Sequence, residues 1–82
     1  MRVTVLYFAA LRDLAGRSEE ALALPDTVST VGALADHLCA ARPWLAERRA
    51  HVRIARNEAF AEPADALTEG DVIALIPPVA GG

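Results

Sequence analysis

The sequence predicts an α+β domain, a mixed sheet of four to five strands with one main helix packed on one face. Three patterns indicate this fold class. The chain opens with the alternation of a half-buried strand, positions 27–41 carry apolar residues at helical spacing, and Val72–Ile76 is an unbroken apolar run typical of a central strand. Because 82 residues suffice for one small domain, we expect residues 1–76 to fold together and residues 77–82 to form a flexible tail.

The first predicted strand runs from Arg2 to Ala9. Alternation divides its side chains between two faces, with Val3, Val5 and Tyr7 on one and Thr4, Leu6 and Phe8 on the other. Ala10–Ala15 is predicted to be a short helix that ends at Gly16. A second strand is expected over Ser18–Leu24 and is broken by the Pro-Asp pair that follows.

The main helix is predicted over Thr27–Ala41, with Ser29 or Thr30 as its N-cap. Its apolar stripe comprises Val31, Leu34, Ala35, Leu38 and Ala41. The helix should end at Arg42, because the residue before a proline avoids the α region. Trp44–Arg49 is expected to add a turn of helix that folds back onto the core.

Two further strands are predicted at His51–Arg56 and Ala59–Ala61, separated by a turn at Asn57-Glu58. Gly70 is expected to take a positive φ in the turn before Val72–Ile76. The element order has an economical arrangement, in which the first two strands pair antiparallel and the last strand lies parallel beside the first through a right-handed connection. That arrangement is a β-grasp sheet.

The charge pattern excludes several functions. The net charge is −3, without the basic stripe that nucleic acid binding requires. All eight basic residues are arginines, so no side-chain amine is available to form a Schiff base. The single cysteine, Cys39, rules out an internal disulfide and a cysteine-rich metal site. The start of the chain reads as a strand rather than a signal peptide, and no apolar run spans a bilayer, so the cytoplasm is the expected compartment.

An independent catalytic site is not expected. Cys39 flanks the apolar stripe of the main helix, where a small core-filling role is favoured over a nucleophilic one. Asp36 and His37 fall on the solvent side of that helix, and His51 opens a strand without a partner. The acidic residues are scattered and lack metal-ligand spacing, so no metal site is predicted.

Two features point to partner binding. The tail, Pro77-Pro78-Val79-Ala80-Gly81-Gly82, leaves the last strand stiffly and then becomes thin, as suits entry into a narrow channel of another protein; the alternative is an ordinary frayed terminus. Leu6 and Phe8 form an apolar outer face on the first strand, which suits an interface unless the short helix or the Trp44 segment covers it.

Three stretches resemble the small subunit of molybdopterin synthase: VLYFAALRDLAG at 5–16, LTEGDVIALIPPV at 67–79, and the final AGG. The resemblance covers nearly the whole chain, although the middle helix agrees in position rather than in letters. It implies a ubiquitin-like β-grasp fold and a sulfur-carrier role. No cofactor is then bound directly, and the chain acts as the sulfur-donating subunit of a sulfurtransferase rather than as an enzyme alone.

The resemblance also implies a mechanism and partners. An ATP-using enzyme adenylates the terminal carboxyl of Gly82, a sulfur donor converts it to a thiocarboxylate, and the synthase large subunit passes the sulfur to a cyclic pyranopterin monophosphate. Gly82 is carried over as the loaded residue, Gly81 as its slender neighbour, and Arg12 as a partner contact. Leu6, Phe8 and the stiff exit Pro77, Pro78 and Val79 complete the predicted interface.

Two alternatives remain open at this point. One is a sulfur carrier for thiamin, cysteine or a tungsten cofactor, which would have the same fold and tail. The other is a protein modifier joined to its targets through Gly82.

Overall fold

A five-stranded mixed sheet frames the domain in the computed structural model, which describes residues 1–78. The elements in chain order are β1 Arg2–Tyr7, α1 Ala10–Ala15, β2 Glu19–Ala23, α2 Val31–Ala41, α3 Pro43–Ala46, a 3₁₀ turn Arg49–His51, β3 Arg53–Arg56, β4 Ala59–Phe60 and β5 Val72–Ile76. This order of strands and helices agrees with the sequence prediction.

The strands lie in the order β2-β1-β5-β3-β4. β1 pairs antiparallel with β2 and parallel with β5, and β5 pairs antiparallel with β3. The β-grasp topology predicted from the pattern is therefore confirmed. β5 is the middle strand, and one of its faces is covered, where Ile73 and Leu75 are buried.

Helix α2 packs its apolar stripe against the inner face of the sheet, and Val31, Leu34, Ala35 and Leu38 are buried as predicted. The prediction was wrong for Ala41, which is exposed. Ala41 ends the helix, and the core beyond Leu38 is filled by Leu45 from α3 instead. The sharp turn at Arg42 brings Leu45 back onto the core, as the segment after the proline was expected to do.

The main helix begins four residues later than predicted. Thr30 is the N-cap, and its Oγ1 accepts a hydrogen bond from the Ala33 N–H at 3.1 Å. The residues before it serve other contacts: the Val28 N–H donates to the Pro25 carbonyl, and the Ser29 carbonyl accepts from the Leu67 N–H. Positions 27–30 therefore form a turn and bind the segment that leads to β5. These contacts keep them out of the helix despite their helical pattern.

Further boundaries differ from the prediction: β2 spans Glu19–Ala23 rather than Ser18–Leu24, and β4 ends at Phe60 rather than Ala61. The first strand ends at Tyr7 rather than Ala9, because Ala9 has a φ of 50°, which is incompatible with an extended strand. His51 does not open a strand but ends the 3₁₀ turn, and β3 starts at Arg53. By contrast, Gly16 and Gly70 take the positive φ angles expected of them.

Candidate functional site

The middle strand β5 carries the chain from the core to the predicted tail. β5 ends at Ile76, after which Pro77 is half-buried and Pro78 is exposed. The predicted contact residue Val79 and the predicted loading residues Gly81 and Gly82 lie outside the described residues. The exit from the sheet is therefore located in the structure, and the roles assigned to the end of the tail stay predictions.

The sheet face opposite the helix carries an apolar concavity of about 670 Å³ next to this exit. We call this face the outer apolar surface; its lining residues are Leu6, Phe8, Ala55, Asn57, Glu58, Phe60, Val72, Ala74 and Ile76. They come from β1, β3, β4, β5 and the adjoining turns. Because side chains alternate between the faces of a sheet, these residues point away from the core that their strand neighbours fill.

Several large side chains on the outer apolar surface are open to solvent. Phe60 is 61% exposed, Phe8 46% and Val72 38%. The sequence prediction that Leu6 and Phe8 face away from the helix is confirmed, since both line this surface. An apolar patch of this kind on a small domain is typical of a protein-binding site.

Helix α1 and the segment that contains Trp44 pack on the inner face of the sheet. Trp44 packs edge-on against Tyr7, with 5.9 Å between ring centres, and Tyr7 belongs to the buried core. Leu11 of α1 is also fully buried in that core. Neither segment therefore shields Phe8.

A polar network fixes the strand β5 at its start. The buried carboxylate of Asp71 accepts hydrogen bonds from Arg56 Nε at 2.7 Å, from Asn57 Nδ2 at 2.9 Å and from the Thr68 N–H at 2.7 Å. Burial works to raise the pKa of Asp71, but these three bonds outweigh it and hold the pKa below its usual range. The network ties the turn before β5 to the β3–β4 hairpin, so that the two sides of the outer apolar surface keep a fixed spacing.

A second polar network lies on the inner face at the end of β1, where Tyr7 is the last residue. The Tyr7 hydroxyl donates to Glu20 Oε1 at 2.7 Å, and Arg42 Nη2 donates to the same oxygen at 2.9 Å. Burial, reinforced by the bond to Glu20, raises the pKa of Tyr7 to about 12. This cluster joins β1, β2 and the α2–α3 junction, and every member has a partner within it, which indicates a structural role.

Arg12 occupies a different place from the other predicted contact residues. It lies exposed on α1, and its carbonyl accepts a bond from the Gly16 N–H. The structure groups Leu6 and Phe8 with the tail exit but does not include Arg12 in the outer apolar surface. A partner contact by Arg12 stays a prediction.

Sequence reasoning missed most of the outer apolar surface. Phe60 and the alternate residues of β5 belong to it. Arg53 borders it, since its Cζ lies 3.7 Å from the centre of the Phe60 ring. The one available signal was the aromatic residue in a short edge strand. The sequence of β5 does not show which of its residues face outward, because both faces of that strand are apolar.

Three side chains that could take part in chemistry, Asp36, His37 and Cys39, lie on helix α2. Cys39 is half-buried against the core cluster, in agreement with a packing role. Asp36 and His37 are exposed on α2, and Asp36 forms an ion pair with Arg49. Across residues 1–78, acidic, histidine and cysteine side chains do not converge on a potential metal site. None of the helices found there has the length and apolar character to cross a bilayer.

Fold and surface together define a ubiquitin-like β-grasp domain that presents an apolar face beside its C-terminal exit. The family model described as the ThiS family matches residues 5–82. The chain therefore belongs to the ThiS family.

Individual relatives cover the chain end to end. It is 39% identical over 84 residues to the molybdopterin synthase sulfur carrier subunit of Chlamydomonas reinhardtii, with 100% of both chains covered. Among solved structures, SAMP1 (small archaeal modifier protein 1) of Haloferax volcanii is 33% identical, with a TM-score of 0.83 and full coverage of both chains. A complex of subunits 1 and 2 of the molybdopterin-converting factor from Helicobacter pylori includes a chain that is 25% identical, with a TM-score of 0.73 and full coverage.

Proposed function

We propose that this protein is the sulfur carrier subunit of molybdopterin synthase. The carboxyl of Gly82 carries the sulfur, and the large subunit of the synthase receives the tail. The proposal is supported by the full-length likeness to the Chlamydomonas carrier subunit. The structural observation that carries it is the outer apolar surface directly beside the point where β5 leads into the tail.

The proposed chemistry explains why the chain needs no catalytic group of its own. A carboxylate resists nucleophilic attack because of its charge and its resonance, so an activating enzyme first joins the Gly82 carboxyl to AMP from ATP and releases pyrophosphate. A sulfur donor then displaces AMP and leaves a thiocarboxylate. Its sulfur is a good nucleophile and passes to a cyclic pyranopterin monophosphate in the large subunit.

The outer apolar surface supplies the docking site in this proposal. Interface energy concentrates in a few buried aromatic and apolar anchors, and Phe8 and Phe60 are exposed aromatic side chains available for that role. The tail enters the partner as an extended peptide whose end is held by polar groups, a recognised mode of carboxylate capture. The complex of subunits 1 and 2 from Helicobacter pylori supports a pairing of this kind.

A direct test is mass spectrometry of the chain purified from its native host. A carrier shows a fraction of molecules whose C-terminal peptide is heavier by the exchange of one oxygen for one sulfur. Incubation of this fraction with the large subunit and the cyclic pterin should convert it back to the carboxylate while molybdopterin forms. A sulfur-loaded chain that gives no molybdopterin would instead assign the sulfur to another product, such as thiamin, cysteine or a tungsten cofactor.

The likeness to SAMP1 favours protein modification as the second candidate function. The same mass spectrometry distinguishes it, because a modifier leaves branched peptides in which Gly82 is joined to a lysine of another protein. Branched peptides without any thiocarboxylate would contradict the carrier proposal.

A further inference from the structure

Arg53 stands at the tail exit on the same face as the outer apolar surface. It is the first residue of β3 and pairs in register with Ile76, the last residue of β5. Its guanidinium lies over the ring of Phe60, 3.7 Å from Cζ to the ring centre. The chain thus places one exposed cation beside the point where the tail leaves the sheet.

The contact with Phe60 positions the Arg53 guanidinium before a partner binds. A guanidinium over an aromatic ring is attracted by the ring's electrons and still has N–H groups available to donate to a partner. The ring also restricts the side chain before binding, which lowers the entropy lost when a contact forms. Two neighbouring arginines differ in this respect, since Arg49 pairs with Asp36 and Arg56 with Asp71.

The length of the tail determines which partner surface meets Arg53. Six residues follow Ile76, and six residues span at most about 20 Å when fully extended. A large subunit that holds Gly82 in its active site must therefore come close to the end of the sheet where Arg53 lies. This argument depends on the proposed function.

We infer that Arg53, held on Phe60, is a specificity-determining contact that pairs with a carboxylate of the large subunit beside the channel for the tail. The guanidinium edge matches a carboxylate through charge-assisted, bidentate hydrogen bonds. A charge at the rim of an apolar interface orients the partner and accelerates association. Arg53 thereby aligns the tail with its channel.

The test measures affinity for the large subunit by titration calorimetry with Arg53→Glu and Arg53→Gln. The matched control is Arg2→Glu, which alters an exposed arginine on the same sheet face at the far end of β1. Arg2 lies six positions before Phe8, a distance of about 20 Å along the strand, which exceeds the screening length of about 14 Å at 50 mM salt. Circular dichroism confirms that each variant is folded.

At about 50 mM salt, Arg53→Glu should weaken binding at least tenfold, and Arg53→Gln about threefold, whereas Arg2→Glu should stay within about twofold of the parent. At about 500 mM salt the loss for Arg53→Glu should shrink, because the paired charges are screened. A folded Arg53→Glu variant that binds as tightly as the parent at low salt would overturn the inference. An equal loss for Arg2→Glu would also overturn it, because the effect would then follow net charge.

The result separates this inference from the proposed function. If the parent binds the large subunit and carries sulfur while the Arg53 variants match it, only the role of Arg53 is wrong. If the parent itself neither binds nor carries sulfur, the proposed function and this inference both fall.

Discussion

At the residue scale, three non-glycine residues within positions 1–78 adopt positive φ angles, with 50° at Ala9, 50° at Asn57 and 71° at Glu58. Asn57 and Glu58 form a two-residue hairpin loop, since Arg56 and Ala59 on either side are paired in register. Positive φ at both positions is the conformation of a type I′ turn, which prefers Asn followed by Gly. The sequence has the favoured residue at the first position and a strained one at the second.

Glu58→Gly should therefore stabilise the protein. Relief of the backbone strain contributes about 1–3 kcal/mol and the extra freedom of glycine in the unfolded chain offsets about 0.5–1 kcal/mol, so we expect a net gain of about 1 kcal/mol. Urea denaturation measures the change. Glu19→Gly in β2 is the control and should destabilise, because that exposed strand position requires no positive φ. A loss of stability in Glu58→Gly would contradict the strain argument.

Cys39→Ala tests whether the lone thiol has only a packing role. The side chain is half-buried at the edge of the core, so its removal should cost no more than about 1 kcal/mol. Sulfur loading should be unchanged in a thiocarboxylate assay. A folded variant that no longer accepts sulfur would make Cys39 an acceptor and would contradict the proposed route to Gly82.

At the scale of the elements, the cluster of Tyr7, Glu20 and Arg42 ties β1 to β2 and to the α2–α3 junction. Its pH dependence has a definite sign. Burial raises the pKa of Tyr7 to about 12 in the folded protein, whereas an unfolded tyrosine titrates near 10. The folded state therefore holds the proton more tightly, and stability present below about pH 10 is lost as the pH rises towards 12.

Tyr7→Phe should cost about 1–2 kcal/mol at neutral pH, because the hydrogen bond to the Glu20 carboxylate is lost. The variant should also lose stability more slowly than the parent between pH 10 and 12. Other side chains of the same kind do not interfere between pH 10 and 12, since Tyr7 is the only tyrosine and the chain has no lysine. Urea denaturation across this range, with tyrosinate absorbance recorded in the folded state, checks both points. Equal slopes for parent and variant would show that Tyr7 titrates normally.

At the scale of the whole molecule, the structure separates a buried helical side from an open apolar side. Phe8→Asp would introduce a charge into the open side, where a partner would remove it from water. We expect a folded monomer whose affinity for the large subunit falls at least about 30-fold, corresponding to a hot-spot loss of about 2 kcal/mol. Titration calorimetry measures the loss.

The control for Phe8→Asp is Leu14→Asp, which changes a similarly exposed apolar residue on α1 that does not line the outer apolar surface. It should bind like the parent. A folded Phe8→Asp variant with parental affinity would show that another face meets the large subunit.

The end of the chain gives the second test at this scale. Deletion of Gly82, or addition of one residue after it, should abolish sulfur loading and leave the melting temperature unchanged, because the core residues found within 1–78 all lie at or before Leu75. Thermal melting and a thiocarboxylate assay are run side by side. A shortened chain that still accepts sulfur would place the reactive carboxyl elsewhere.

Local patterns in the sequence determined most of the fold. The helical stripe of α2 from Val31 to Leu38, the glycines at positive φ and the alternation in β1 depend on neighbours within a few residues, so they could be predicted without the tertiary structure. The outward facing of Leu6 and Phe8 followed from that alternation. The order of the elements then left the β-grasp sheet as the economical topology.

Only the tertiary structure decided how the outer apolar surface is assembled. Alternation reveals a strand's facing only when one face is polar, and both faces of β5 are apolar, so Val72 and Ile76 could not be oriented from their sequence. Strand pairing brings Phe60 onto the surface and places Arg53 at its border, beside Ile76, which lies 23 positions further along the chain. The helix start depended likewise on the Ser29 contact with Leu67. Such long-range pairings are set by packing of the whole chain, and local residue patterns do not encode them.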